Sequence, residues 1–446
     1  MARRLRTISE NIENNVSIMT LISLKEYETF PPKKKTLDPA DTRIQELEKI
    51  TFQKEDIQLQ EELQKKNILS ISSDPLHKRL RFSTQSHIGV AQFSNFTIAI
   101  TPKFSTIERL VELIDYAYDL DLEIFPESET QFEGEKNILT EIIISTFVKK
   151  CQILMRQGLY KSYNLKEDNV KFLRGKLLVN QQILNQAKTK LQFACEYDEF
   201  EFNNLENQIV LFCLEQSYRL TINDKRKNEI RRLVQNFANL VDHKEVSLDD
   251  FKKLNYNQMN HHYKKIHELC KLIVNNTQIT NFYQQKMRFV NSFFVNMNEV
   301  FEKFVFKLFY QFYPLPTKEQ QHYSSWISER EGRTIPIITD ILTYQKDRHT
   351  VNTIIDTKYK IELSDNDRYQ LTHYARDYEK NEVYAILPEF EGAASDSYIA
   401  TRQNIQVKIR HINIDKILDW VYSKENKSKE IQEYLKEIVP LENIQN

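Results

Sequence analysis

The sequence predicts a multidomain α+β protein with a β-rich N-terminal domain over residues 1–125, a mostly helical domain over 126–290, and a C-terminal α/β domain over 291–446. Three observations carry this. A chain of 446 residues is longer than one ordinary hydrophobic core serves, so two or three domains are expected. Strand-like apolar runs bounded by turn residues cluster near residues 79–104 and again in the last third. Between those clusters, apolar residues recur mainly at helical spacing.

Composition narrows the class. With 40% apolar and 28% charged residues, and only 6 Gly and 11 Pro, the chain reads as folded and not disordered. Its formal net charge of -1 gives no global attraction to nucleic acid, although a local basic channel remains compatible with it. No run approaches the roughly eighteen apolar residues of a membrane span, and "MARRLRTISENIENN" lacks the apolar stretch of a signal peptide. A cytoplasmic protein without a membrane partner is expected. Cys151, Cys195, Cys213 and Cys270 are scattered with no CxxC pair, which suits a reducing compartment and argues against a zinc knuckle.

Taken in order, residues 1–75 read as short elements, with Asp38-Pro39 ahead of a helical pattern. "KRLRFSTQSHIGVAQFSNFTIAITPKF" reads as consecutive strands with turns at Thr84–Ser86 and Ser94–Asn95. Ile107, Leu110, Val111, Ile114 and Ala117 then set a helix period. From about 137 to 290 the pattern is mostly helical, interrupted at 170–183, where Gly175 sits in a basic, strand-prone piece. The basic runs "NDKRKNEIRR" and "YKKIHELCK" read first as solvated helix faces and second as nucleic-acid contacts. In the last third an aromatic helix (295–313) precedes the strands "TIPIITDILTY" and "TVNTIIDTKYK". The helix "DNDRYQLTHYARDYE", the strands "EVYAILPEF" and "IQVKIRHINI", and a terminal helix through "IDKILDWVYSKE" follow.

The first two of those strands deliver charge to their ends. "IPIITD" ends on Asp340, and "NTIIDTK" delivers Asp356 and Lys358, which period two puts on one face with Thr357 turned away. As antiparallel neighbours, the strands would bring Asp340 close to Asp356. Two adjacent carboxylates repel unless a cation lies between them, and a hard divalent ion suits oxygen ligands. The plainer alternative is an edge-strand ion pair with Asp340 capping a turn. Glu302 stands on a largely apolar helix between Phe301 and Phe304, and Gln370 shares a helix face with Tyr374. Either could be an interfacial polar residue, or all could complete one site.

The order of a helical Glu, Asp, Asp-x-Lys and Gln-x-x-x-Tyr resembles the PD-(D/E)XK nuclease fold. More narrowly, the chain resembles the McrC family, the nuclease subunit of McrBC-type modification-dependent (5-methylcytosine) restriction systems. "VFEKFVFKLF" with Glu302, "ITDILTY" with Asp340, "IIDTKYK" with Asp356 and Lys358, and "RYQLTHYA" with Gln370 and Tyr374 match in family order. Thr339 stands where the family has proline and Thr357 where it has alanine. "IGVAQFSNFTIAITPKF", "QGLYKSY…FLRGKL" and "EYDEF…NLENQIV" extend the similarity over roughly residues 75–420.

The resemblance implies a C-terminal restriction-endonuclease-like domain that hydrolyses DNA phosphodiesters with Mg²⁺, or with Mn²⁺ in its place. Asp340 and Asp356 would hold the metal, the Thr357 carbonyl and Glu302 would assist, Lys358 would position the attacking water, and Gln370 would tune it. It also implies a partner, a hexameric McrB-like AAA+ GTPase ring on double-stranded, modified DNA, stimulated by the N-terminal part of the nuclease subunit. The sequence contains no GxxxxGK[ST] loop of its own. Lys78, Arg79 and Arg81 are candidates for contact with the ring, and an ordinary charged hairpin is the competing account. A non-catalytic, ring-activating subunit with a decayed nuclease core, or a nuclease of another defence or repair complex, stays open. His261, His262 and His267 do not match a zinc spacing. His349 reads as loop surface and His373 as packing.

Overall fold

In the computed structural model, residues 20–32, 41–47, 50, 53–54, 56–74, 79–103, 106–122, 138–280, 293–327, 334–390, 395–400 and 402–441 are described. They fall into two compact units. One is built from residues within 1–124 and 293–446, the other from residues within 137–292. The segments expected to be the first and last domains therefore belong to one unit.

That unit begins with β1 (Thr20–Lys25), β2 (Thr29–Phe30), α1 (Thr42–Leu47), α2 (Asp56–Lys65), β3 (Leu69–Asp74), β4 (Arg79–Thr84), β5 (His87–Gln92), β6 (Phe96–Thr101) and α3 (Ile107–Tyr118). The strands and helix expected between residues 79 and 118 are all present. In the second unit, α4 (Ile138–Gln157), β7 (Ser162–Val170), β8 (Lys176–Leu177), α5 (Val179–Ala187), β9 (Phe193–Glu201), α6 (Leu205–Leu220), α7 (Asp224–Ala238), α8 (Leu248–Phe251) and α9 (Tyr263–Thr280) follow in order. The unit is mostly helical, as expected, but it also carries a sheet ordered β7-β9-β8, of which the sequence suggested only the strand-prone piece around Gly175. β7 and β9 escaped notice because they are nearly as charged as a solvated helix. Lys166 on β7 contacts Glu199 and Glu201 on β9, so opposite charges pair across the ladder where apolar residues usually would. Gly175, which precedes β8, has φ +66, and a Cβ there would come within 2.3 Å of the Glu196 carbonyl oxygen.

The chain returns to the first unit through β10 (Phe293–Asn296), which pairs antiparallel with β5 and joins the sheet ordered β1-β6-β5-β10. Gly89 makes this pairing feasible, since a Cβ would meet the Phe293 carbonyl oxygen at 1.9 Å. Then come α10 (Met297–Phe312), β11 (Thr317–Ile327), β12 (Thr334–Tyr344), β13 (Val351–Thr357), α11 (Asp365–Asp377), β14 (Glu382–Pro388), β15 (Ser397–Ala400), β16 (Ile405–Ile412), α12 (Ile414–Val421) and α13 (Ser428–Ile438). The six-stranded sheet is ordered β11-β12-β13-β14-β16-β15, so β13 lies in its interior and not at an edge. The pairs β11–β12, β12–β13 and β15–β16 are antiparallel, while β13, β14 and β16 run parallel. On one face Leu342, Ile354, Val383, Ala385 and Val407 pack with Leu371, Tyr374 and Ala375 of α11. α10 is held against α3 by Phe304 on Tyr116, with ring centroids 5.7 Å apart, and by Lys307 Nζ donating to the Tyr116 carbonyl at 2.7 Å.

Candidate active site

The site forms where β12 and β13 meet. Ile341 pairs with Ile355, which sets Asp340 across from Asp356. The Thr357 amide and hydroxyl both donate to Asp340 Oδ2, at 2.8 and 2.9 Å. Thr357 was expected to turn away from the site; instead its hydroxyl holds one of the carboxylates in place.

Asp356 is fully buried at 0% exposure. Its Oδ2 lies 2.8 Å from Lys358 Nζ as an ion contact, and among the described residues neither carboxylate oxygen receives a well-aligned hydrogen bond. Burial, and then the charge of Asp340, push this carboxyl up to about 7 against the pull of Lys358. Burial opposes the Lys358 ammonium, but Asp356 and Asp340 more than offset it and hold the amine above its ordinary value. A buried ion pair with so few donors is poorly satisfied for a purely structural element.

Glu302 projects from α10 and is half-buried. Its Oε1 accepts from Gln320 Nε2 at 3.1 Å. Burial and then Asp340 raise its pKa, so it stands within electrostatic reach of the strand carboxylates. Gln320 was not singled out from the sequence. It lies between Glu319, paired with Ile341, and Gln321, paired with Thr339, and so faces Asp340 across the ladder; its φ of 45° is unusual for a strand residue. A polar run such as "TKEQQHY" gives no apolar alternation from which to read that strand.

Gln370 is on the exposed side of α11 and donates to the Tyr374 hydroxyl, which donates to the Ile338 carbonyl at 2.9 Å. This chain ties α11 to β12 two residues before Asp340. Of the expected ring-contact residues, Lys78 and the side chain of Arg79 lie outside the described residues, and Arg81 Nε donates to the Pro31 carbonyl at 3.2 Å.

Among the described residues, no three His, Cys, Asp or Glu side chains form a ready-made metal cage. What the site offers is two facing carboxylates, one of them buried, raised and short of donors. That set fits Mg²⁺, which takes one or two carboxylates and keeps several waters. Among the described residues no helix is long and apolar enough to cross a membrane.

The second unit carries a different surface feature. Tyr163 (72% exposed), Phe172 (82%) and Leu191 (96%), with Leu165, Leu173 and Ile183, leave apolar side chains in solvent on and around its small sheet.

The fold is thus that of a mixed α/β chain whose largest sheet brings two acids and a lysine together in its interior. The family described as McrBC 5-methylcytosine restriction system component matches residues 82–388, and the chain belongs to it. Among solved structures, it is similar to a chain in a refined half-complex from the tetradecameric assembly of Thermococcus gammatolerans McrB AAA+ hexamers with bound McrC. That match has 19% identity and a TM-score of 0.53, and it covers 94% of this chain and 100% of the other. A second similarity, to the cryo-EM structure of the Thermococcus gammatolerans McrBC complex, has 22% identity, a TM-score of 0.39, and coverage of 65% and 87%. No curated protein sequence matches the chain.

Proposed function

We propose that this chain is the Mg²⁺-dependent endonuclease subunit of a modification-dependent restriction complex. It would cut double-stranded DNA while bound to, and stimulating, a hexameric McrB-like AAA+ GTPase ring. The observation that carries the reading is the Asp340–Asp356–Lys358 cluster, in which a buried carboxylate lacks donors beside a charged amine. In this reading the sheet belongs to the PD-(D/E)XK class.

Asp340 and Asp356 would hold the ion, with the Thr357 carbonyl and, through a water, Glu302. When bound, the ion supplies an acidified water and a counter-charge for the scissile phosphate. Lys358, held as the ammonium, would donate a hydrogen bond that orients the attacking water or meets a non-bridging phosphate oxygen, opposing the charge that develops there. Thr357 keeps Asp340 oriented through two donors. Gln370 acts through Tyr374 on the alignment of β12. In this reading the exposed apolar side chains of the second unit, Phe172 and Leu173 among them, would contact the ring.

The test is DNA cleavage with 5-methylcytosine-containing and unmodified duplexes, the partner ring, GTP or ATP, and Mg²⁺. Lys358→Ala is expected to lower cutting about 10²–10³-fold, the range for loss of a preorganised charged donor, with stimulation of nucleotide hydrolysis retained. Cutting at the wild-type rate would refute the site assignment. Phe172→Ala combined with Leu173→Ala should do the reverse, weakening ring binding and stimulation.

A further inference from the structure

Lys358 follows Thr357, the last residue of β13, and its own amide donates to the Ile386 carbonyl at 3.0 Å. The next residue, Tyr359, is held at both ends by a turn more than three hundred positions earlier. The Tyr359 hydroxyl donates to Glu26 Oε1 at 2.6 Å, and the Tyr27 hydroxyl donates to the Tyr359 carbonyl at 2.5 Å. Glu26 is itself fixed by the Lys103 amide, which donates to the same Oε1 at 2.8 Å. Tyr359 is 1% exposed, and its ring lies among Tyr27, Phe301 and Phe390, at centroid distances of 6.4, 5.7 and 5.8 Å. Glu26 is likewise 1% exposed.

A buried carboxylate is a costly way to fill space, and an apolar residue of similar volume would pack there more favourably. What Glu26 adds is a fixed acceptor for one particular phenol. Lys358 has a long, flexible stem, so the position of its ammonium depends on a rigid backbone origin. A displacement of about 1 Å at a reacting group can lower a rate about 10²-fold.

We propose that Glu26 and Tyr27 are positioning residues that clamp Tyr359 and thereby aim Lys358, so that the N-terminal strands complete the cutting site from behind. This rests on the nuclease reading given above. It also means that residues 291–446 alone are not a competent nuclease.

The test uses the full chain. Tyr359→Phe, Tyr27→Phe, Glu26→Ala and Glu26→Gln are assayed with the partner ring for kcat and KM on methylated duplex. Nucleotide hydrolysis by the ring is the control. Hydrogen exchange of the peptide covering residues 351–360 is followed in parallel on the chain alone. Tyr359→Phe and Glu26→Ala should lower kcat about 10- to 100-fold with KM and ring stimulation unchanged. Glu26→Gln, which still offers a carbonyl acceptor, should restore most of the rate. Exchange in 351–360 should rise in Glu26→Ala and Tyr27→Phe without a rise across β14 and β16. Unchanged kcat, or faster exchange throughout the six-stranded sheet, would overturn the proposal. If the wild-type chain cuts nothing, the nuclease reading fails by itself, and the exchange data still decide whether the clamp holds this segment.

Discussion

Each unit of this chain buries a polar cluster, and the two clusters are completed to different degrees. In the helical unit Asn207 is 0% exposed. Its Nδ2 donates to the Tyr160 and Phe202 carbonyls, both at 2.8 Å, and its Oδ1 accepts from the Tyr263 hydroxyl at 2.7 Å. That hydroxyl in turn accepts from the Tyr160 amide at 2.8 Å. His267 beside it lies between the Tyr256 hydroxyl and the Glu206 carbonyl. These donors and acceptors are used internally. In the other unit Asp356 is as deeply buried, yet among the described residues its oxygens have only the ion contact with Lys358. A closed polar network stabilises and specifies a core, whereas an open one is costly unless something enters to complete it. By this measure the Asp356 cluster is the more open of the two.

The comparison can be broken at four places. Asp356→Asn removes the charge while nearly preserving shape. It should reduce cleavage about 10³-fold, at the upper end for loss of one preorganised electrostatic group, and the fold should persist in circular dichroism. Added Mg²⁺ should raise the Tm of the wild-type chain and leave that of the variant unmoved. A Tm rise in both would show that the ion binds elsewhere.

Asn207→Ala should behave in the opposite way. The variant takes the acceptor from the buried Tyr263 hydroxyl and one of the two donors from each of the Tyr160 and Phe202 carbonyls, which keep Asn204. That should cost about 2 kcal/mol, measured by denaturant unfolding, while cleavage per folded molecule stays at the wild-type level. Loss of activity beyond the unfolded fraction would blur the distinction between the clusters.

Glu26 gives a pH-dependent test. Burial pushes its carboxyl up to about 7, against hydrogen bonds from Tyr359 and Lys103 and the charge of Lys103. Between about pH 4.5 and 7 the folded chain therefore binds more protons at this position than the unfolded chain, so its contribution to stability falls as pH rises through that window. The loss is roughly 3 kcal/mol at 1.36 kcal/mol per pKa unit. Glu26→Gln should lack it, so its advantage in Tm should grow from pH 5 to pH 8. A difference that is flat with pH would show that Glu26 is not held neutral.

The smallest effect concerns Thr357. Thr357→Val removes one hydroxyl donor to Asp340 and leaves the amide donor. It should slow cleavage about 5-fold, the equivalent of a single hydrogen bond near 1 kcal/mol, and a rate unchanged within error would reduce the hydroxyl to packing.

Several features were legible in the sequence because they are local. Apolar periodicity and turn residues located β4 to β6, α3, α10, β12 and β13 close to their observed bounds. The alternation in "NTIIDTK" set Asp356 beside Lys358, as the 2.8 Å contact bears out. Other elements lacked that signal. β7, β9 and β11 carry charged and polar residues where buried strands carry apolar ones, so their pairing is visible only across the ladder.

What the sequence determined by itself was which short segments would be helix or strand and which charges would lie at strand ends, since both follow from spacing along the chain. Tertiary structure alone decided that β13 is interior, that Gln320 meets Glu302, and that Glu26 reaches Tyr359 across 333 positions. Those contacts depend on burial and on the meeting of distant segments. The free energy of such a meeting is set by the whole fold, and no local pattern of residues records it.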